Sequence, residues 1–307
     1  MYSKYEDCHI KNPMSKDQNN DTVEGISIIR KQSINPLTFH SSSVPYFTSP
    51  TFEKYDNIIH GFSTRLGGKS LAPLESMNLS FSKSDTPEIV TENYNLLGNS
   101  IGFDPKRIVT SQQTHTVNIK IVDYDDCGKG YDKPRGYTDI DGLITNLPGI
   151  VLTTSYADCV PLLIFDPVKQ VIGNAHSGWR GTVKKMGLKM IEKMSETYGS
   201  DPKDMIVTIG PSICQDCYEV SEEVILEFKN NFDPKFWSRM FYATIPGKYQ
   251  LNLWEACKIS FLEAGVKEES ISLPDVCTHC NPNLLYSRRT MGENYGNFGA
   301  FLMLKEK

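Results

Sequence analysis

The chain has 307 residues, enough for one large domain or two small ones, and 39% hydrophobic with 22% charged residues is ordinary globular composition. Its net charge of −5 supplies no excess of phosphate-neutralising side chains, which argues against a general nucleic-acid binder and leaves room for a local basic pocket. No stretch approaches ~18 consecutive apolar residues and no apolar leader opens the chain, so a cytoplasmic protein is expected, with no membrane span and with its cysteines as thiols, some of them binding metal.

Residues 1–40 are polar, with one short apolar patch at Ile26–Ile29, and read as a mostly disordered extension or a loosely docked arm. Residues 41–307 carry apolar runs at regular intervals, without a repeat or a low-complexity linker, and read as one catalytic domain. Short β-branched or aromatic runs predict strands over 58–63, 107–111, 117–123, 150–156, 160–165, 170–175, 205–209 and 271–273. Helices are predicted over 87–101, 183–198, 221–231 and 253–264. In the second, Val183, Met186, Met190, Met194 and Thr197 share one face, as core-filling residues would. Strands outnumber helices and long crossovers are scarce, which favours an α+β fold with mixed sheets.

The segment 156–181 carries the most chemistry. Two apolar strands flank Asp166-Pro167-Val168-Lys169, whose Asp and Pro suit a type I turn. A turn centred between Pro167 and Val168 sets Cys159 directly opposite His176, on one face of the hairpin and about 4.5–5.5 Å apart at Cβ. That pair can share a metal ion, or act as a thiolate–imidazolium couple. His115, in the polar break Ser111-Gln-Gln-Thr-His-Thr116 between two predicted strands, is the third candidate. Two histidines and one cysteine leave a coordination position open, the pattern of a catalytic rather than a structural zinc. Gly178-Trp-Arg-Gly181 then leads into the helix predicted at 183. Glycines, a helix N-terminus and Arg180 together suit an anion, although a tight turn capped by Thr182 explains the same residues.

Two Cys-x-x-Cys pairs, Cys214/Cys217 and Cys277/Cys280, suffice in number for a four-cysteine zinc site. The 59 residues between the pairs exceed zinc-ribbon spacing, which argues against a joint site. The zincin, nucleobase-deaminase, Gly-x-Ser-x-Gly and phosphate-loop signatures are missing.

A set of motifs in fixed order then resembles the laccase-domain family, also called multicopper polyphenol oxidoreductase-like, of the YfiH/YlmD type. It runs from about residue 58 to 304. It includes His60-Gly-Phe-Ser-Thr-Arg65, Gln112-Gln-Thr-His115, Asp141-Gly-Leu-Ile-Thr145, Ala157-Asp-Cys159, Ala175-His-Ser-Gly-Trp-Arg-Gly181, Cys217-Tyr-Glu-Val220 and Tyr286-Ser-Arg-Arg289. The resemblance implies a compact single domain of four layers, α/β/β/α. It implies one zinc per chain, held by His115, Cys159 and His176. It implies phosphorolysis of adenosine, inosine, guanosine and methylthioadenosine, with adenosine deamination, at one site. Arg65 resembles a pocket arginine of the family; Arg65, Arg180 and Arg288 are candidates to hold phosphate. Asp141 is a candidate substrate-side residue or orienter of a ligand imidazole, and Asp158 a second orienter or a brace for the hairpin. The expected partners are nucleosides and inorganic phosphate, with no nucleic acid, and the chain is expected as a monomer or small homo-oligomer. The rival activities are a cysteine hydrolase, including a peptidoglycan-precursor amidase, built on Cys159, and copper-dependent phenol oxidation, which three ligands at one site serve poorly. The chain departs from the family at Tyr156, Ser177 and Asn252, and reads Cys214-Gln-Asp-Cys217 where adjacent cysteines are common.

Overall fold

The computed structural model describes residues 19–23, 25–31 and 35–306. In chain order the strands are β1 (Asn19–Val23), β2 (Ile26–Arg30), β3 (Thr38–His40), β4 (Tyr46–Thr48), β5 (Ile58–Ser63), β6 (Ile108–Thr110), β7 (Ile119–Ile121), β8 (Gly142–Thr145), β9 (Val151–Tyr156), β10 (Val160–Asp166), β11 (Val171–Ser177), β12 (Ile206–Ile209), β13 (Glu219–Ser221), β14 (Phe241–Ala243), β15 (Lys248–Leu251), β16 (Ile271–Ser272) and β17 (Phe298–Leu304). The helices are α1 (Pro87–Ile101), α2 (Trp179–Val183), α3 (Met186–Tyr198), α4 (Glu222–Asn231), α5 (Trp237–Met240), α6 (Leu253–Glu263) and α7 (Arg288–Met291).

Two six-stranded sheets dominate, in the orders β16-β12-β10-β11-β8-β7 and β3-β4-β5-β17-β9-β6. Both are mixed: β12 runs parallel to β16, β7 to β8 and β6 to β9, and the other pairs are antiparallel. Side chains alternate across each sheet, and this alternation builds the layers. Leu163 and Phe165 of β10 pack with Phe62, Leu152 and Leu302 of the second sheet, in a core between the sheets. Leu162 and Ile164, one residue out of phase, pack on the outer side with Met186, Met190 and Met194 of α3 and Ile259 of α6. On the far side Ile108, Val151 and Phe301 meet Val90, Tyr94 and Leu97 of α1. The result is the expected α/β/β/α arrangement in one domain. Among the described residues no helix is long and apolar enough to cross a membrane.

Helix α1 spans the predicted residues. Thr86 caps its start, Pro87 occupies its first turn, and Gly102 ends it at φ 98°. The helix predicted over 183–198 is instead two. Lys185 adopts φ 59°, separating α2 from α3, and the methionine stripe stays buried on α3. The sequence reading missed β17, a central strand paired to both β5 and β9. All but one of its residues are buried, so the run 298–304 shows no alternation between apolar and polar residues.

Of the extension expected over residues 1–40, residues 1–18, 24 and 32–34 lie outside the described residues. The described remainder makes specific contacts with the rest of the domain. Ile28 is fully buried. Ile29 N donates to Asn281 Oδ1 (2.7 Å), and Asn281 Nδ2 returns a bond to Ile29 O (2.9 Å). Arg30 pairs with the buried carboxylate of Asp275, which also accepts from Leu37 N (3.0 Å). Backbone pairing and one buried isoleucine anchor the segment, and neither leaves a periodic trace in so short a run.

Candidate functional site

His115, Cys159 and His176 each offer one ligand atom, all within 4.8 Å of one another. They arrive from three directions. His176 lies near the end of β11, buried. Cys159 immediately precedes β10, after Asp158 at φ 89°. His115 sits in the loop between β6 and β7 at φ 64°, a backbone region that non-glycine residues seldom occupy.

The hairpin register differs from the one predicted. His176 pairs with Pro161, and Asp166 with Val171, so the connection is the four residues 167–170, with Gln170 at φ 55°. Asp166 Oδ1 accepts from Val168 N (2.8 Å) and Lys169 N (2.9 Å) and closes the turn. Cys159 and His176 are therefore diagonal neighbours and not directly opposed. The shift is of two residues, one full side-chain period, so both still point to the same face.

One carboxylate organises two of the three groups. Asp141 is fully buried, and its Oδ1 lies 2.7 Å from His176 Nδ1. This contact leaves Nε2 of His176 to face Cys159. The same carboxylate accepts from Thr114 N (3.0 Å), His115 N (3.2 Å) and Thr116 N (3.0 Å), and so holds the strained loop that presents His115. Burial raises the Asp141 carboxyl, but these bonds and His176 outweigh it and hold the group below the ordinary range. Burial likewise disfavours a charged His176, yet Cys159 and Asp141 push it up to about 9. Burial and the His176 charge lower His115.

Gly178 keeps the space between the groups clear. A Cβ there would lie 2.5 Å from His115 Nδ1 and 3.1 Å from Cys159 Sγ. Two imidazoles and a thiol whose ligand atoms all lie within 4.8 Å of one another fit a zinc ion in donor type.

The trio opens on a cleft of about 510 Å³, within the range of small-molecule sites. Phe81, Tyr295, Ser80, Ser82, Arg135 and Arg288 are among its lining residues. Of the residues singled out from sequence, His115, Cys159, His176 and Arg288 line it, and Asp141 lies beneath it. Arg65 is not brought there. Its guanidinium donates to Glu75 O (2.9 and 2.6 Å) and Pro282 O (2.8 Å), and lies over the Tyr286 ring. Arg180 is exposed and stacks on Trp179, 4.3 Å from the ring centre. The helix that holds it, Trp179–Val183, has five residues and carries little macrodipole, and Thr182 lies inside that helix, its hydroxyl engaged by Ser177 (2.8 Å). Arg135 was missed. It lies in an irregular loop without periodicity, and only its charge in the sequence could have flagged it.

The departures from the family pattern are accommodated locally. Tyr156 donates to Ala175 O (2.9 Å) behind His176, and Asn252 caps α6 by accepting from Glu255 N (3.0 Å). Asp158 braces the Cys159 loop, accepting from Thr278 Oγ1 (2.7 Å) and Arg289 N (2.7 Å).

The chain matches the family described as multi-copper polyphenol oxidoreductase laccase over residues 59–305. It belongs to that family. Among the laccase-family relatives is the Bacillus subtilis protein named purine nucleoside phosphorylase YlmD. It is 34% identical over 271 residues, 88% of this chain and 97% of the relative. The mouse protein named purine nucleoside phosphorylase LACC1 is 33% identical over 84% of this chain, which spans 58% of that longer relative. The crystal structure of YlmD from Geobacillus stearothermophilus superposes with a TM-score of 0.82 at 30% identity, covering 88% of this chain and 100% of that one.

A second cluster contradicts the sequence reading. Cys214, Cys217, Cys277 and Cys280 bring their sulfurs within 4.8 Å of one another, a set that can hold a metal. The spacing argument failed because β12 and β16 are adjacent and parallel, with Val207 beside Ile271. Each knuckle follows its strand at nearly the same distance. The intervening residues, including α4 and α6, form the crossover.

Proposed function

We propose that this protein is a zinc-dependent purine nucleoside phosphorylase acting on adenosine, inosine, guanosine and methylthioadenosine, with adenosine deamination as a second reaction of the same site. The observation that carries the reading is the convergence of His115, Cys159 and His176, beside Gly178, on the lining of a polar cleft. The names of the relatives support the same chemistry. His115, Cys159 and His176 would hold the zinc, which when bound supplies Lewis-acid charge at the position the protein leaves open. Asp141 holds the His176 proton at Nδ1, so that Nε2 stays a ligand. Arg288 and Arg135, at the cleft wall, meet the phosphate by charge-assisted bonds. Phe81 and Tyr295 offer ring surface to the purine. In phosphorolysis a phosphate oxygen bonds to the anomeric carbon as the glycosidic bond breaks, and its electron pair leaves with the purine.

Purified protein given adenosine and phosphate should yield adenine, inosine and ribose 1-phosphate, and Cys159→Ala should lose all three. Wild type that forms none of these products refutes the proposal. The contact between His176 and Cys159 favours a second reading, a cysteine hydrolase with His176 as base. Stripping the metal separates them: a hydrolase keeps its activity, and the phosphorylase does not.

A further inference from the structure

The four-cysteine cluster lies apart from the cleft, and nothing in the proposed reaction uses it. Its geometry discriminates between a disulfide pair and a metal site. A tetrahedral zinc with Zn–S of about 2.3 Å has S–S edges of about 3.8 Å. Cys217 Sγ and Cys280 Sγ stand 3.5 Å apart, close to such an edge and far beyond the ~2.05 Å of a disulfide. Cys214 N donates to Cys277 Sγ (3.2 Å), a bond that suits an anionic sulfur. Three of the four cysteines are buried and the fourth half-buried, so the set is closed to substrate, unlike the trio. Lys31 ties the N-terminal segment to the first knuckle, with its ammonium 3.3 Å from Asp216.

The surroundings indicate what the site holds together. Asp275 and Asn281 bracket the second knuckle and carry the bonds to Ile29, Lys31 and Leu37 of the N-terminal segment. Thr278, inside that knuckle, donates to Asp158, next to Cys159. Cys277 itself bridges to Ser212, and Thr278 N donates to Ser212 O (3.2 Å).

We propose that Cys214, Cys217, Cys277 and Cys280 bind a second, structural zinc ion, which locks the N-terminal segment and the loop before Cys159 to the body of the domain. Uptake of the ion replaces the thiol protons, which pass to solvent. The site is independent of the proposed nucleoside chemistry, and its test is kept separate from it.

The full chain carrying Cys159→Ala and His176→Ala, which removes the trio as a site, should still purify with one zinc per chain. Adding Cys277→Ser and Cys280→Ser should reduce that to none. Because the last protein risks misfolding, cobalt substitution of the trio-less protein provides a second readout: the expected spectrum is that of a tetrahedral tetrathiolate. Extracting the metal from the same protein should also expose a tryptic cut at Arg30 that the loaded form resists. A trio-less protein that folds without zinc overturns the proposal. So does iron in place of zinc, a cobalt spectrum lacking four thiolates, or a Cys217–Cys280 disulfide in protein purified without reductant.

Discussion

The two sulfur-containing clusters sit on opposite design principles. The four cysteines come from two short knuckles that leave neighbouring parallel strands, and they are closed and apolar in their packing. The trio is assembled from three segments, two of them with positive φ, at His115 itself and at Asp158 beside Cys159, and it opens on a cleft. A closed donor set leaves nothing for a substrate and contributes to folding; an incomplete one, held by strained backbone, leaves a position for chemistry. The strain at His115 and Asp158 persists because other groups over-determine it: Asp141 at one, Thr278 and Arg289 at the other.

The sharpest way to break this comparison is at Asp141. Asp141→Asn should weaken metal binding at the trio by ~10–100-fold, the usual cost of losing a carboxylate behind a ligating histidine, while the four-cysteine metal stays. Metal titration followed by mass spectrometry of the intact protein measures both sites at once. Equal loss from the two sites would mean that Asp141 supports the fold and not the trio.

A smaller effect is expected where the two regions touch. Asp158→Ala leaves Thr278 Oγ1 and Arg289 N without their acceptor and should cost about 1–3 kcal/mol in urea unfolding, with metal content unchanged. Turnover should fall, because Cys159 loses the brace on its loop. If stability drops and turnover does not, the knuckle supports the fold alone and does not position Cys159.

The smallest effect separates the arginines. Arg288→Met should raise the KM for phosphate ~10-fold, about 1.4 kcal/mol of lost binding, and leave thermal stability nearly unchanged, since the side chain is exposed at the cleft. Arg65→Met should do the reverse, since its bonds go to the Glu75 and Pro282 carbonyls. A phosphate KM that responds to Arg65 and not to Arg288 would return Arg65 to the substrate side.

Much of this was legible in the chain itself. The strands at 58–63, 151–156 and 160–166 and the helix at 87–101 follow local patterns and caps that need no partner to be recognised. The trio was legible because a hairpin ties Cys159 to His176 through few residues, and because an error of two in register returns a side chain to the same face. What local pattern does not encode is adjacency between distant segments. The pairing of β12 with β16 decided that two cysteine pairs share one site. The burial of β17 on both faces erased the alternation that would have announced it. Arg65 and Asp141 each sit in a recognisable motif, but only the packing around them showed that one bonds to carbonyls and the other stands beneath His176 and the His115 loop. Residue type and spacing set which chemistry is available to a chain; the free energy of burying and pairing remote segments selects which of those groups meet.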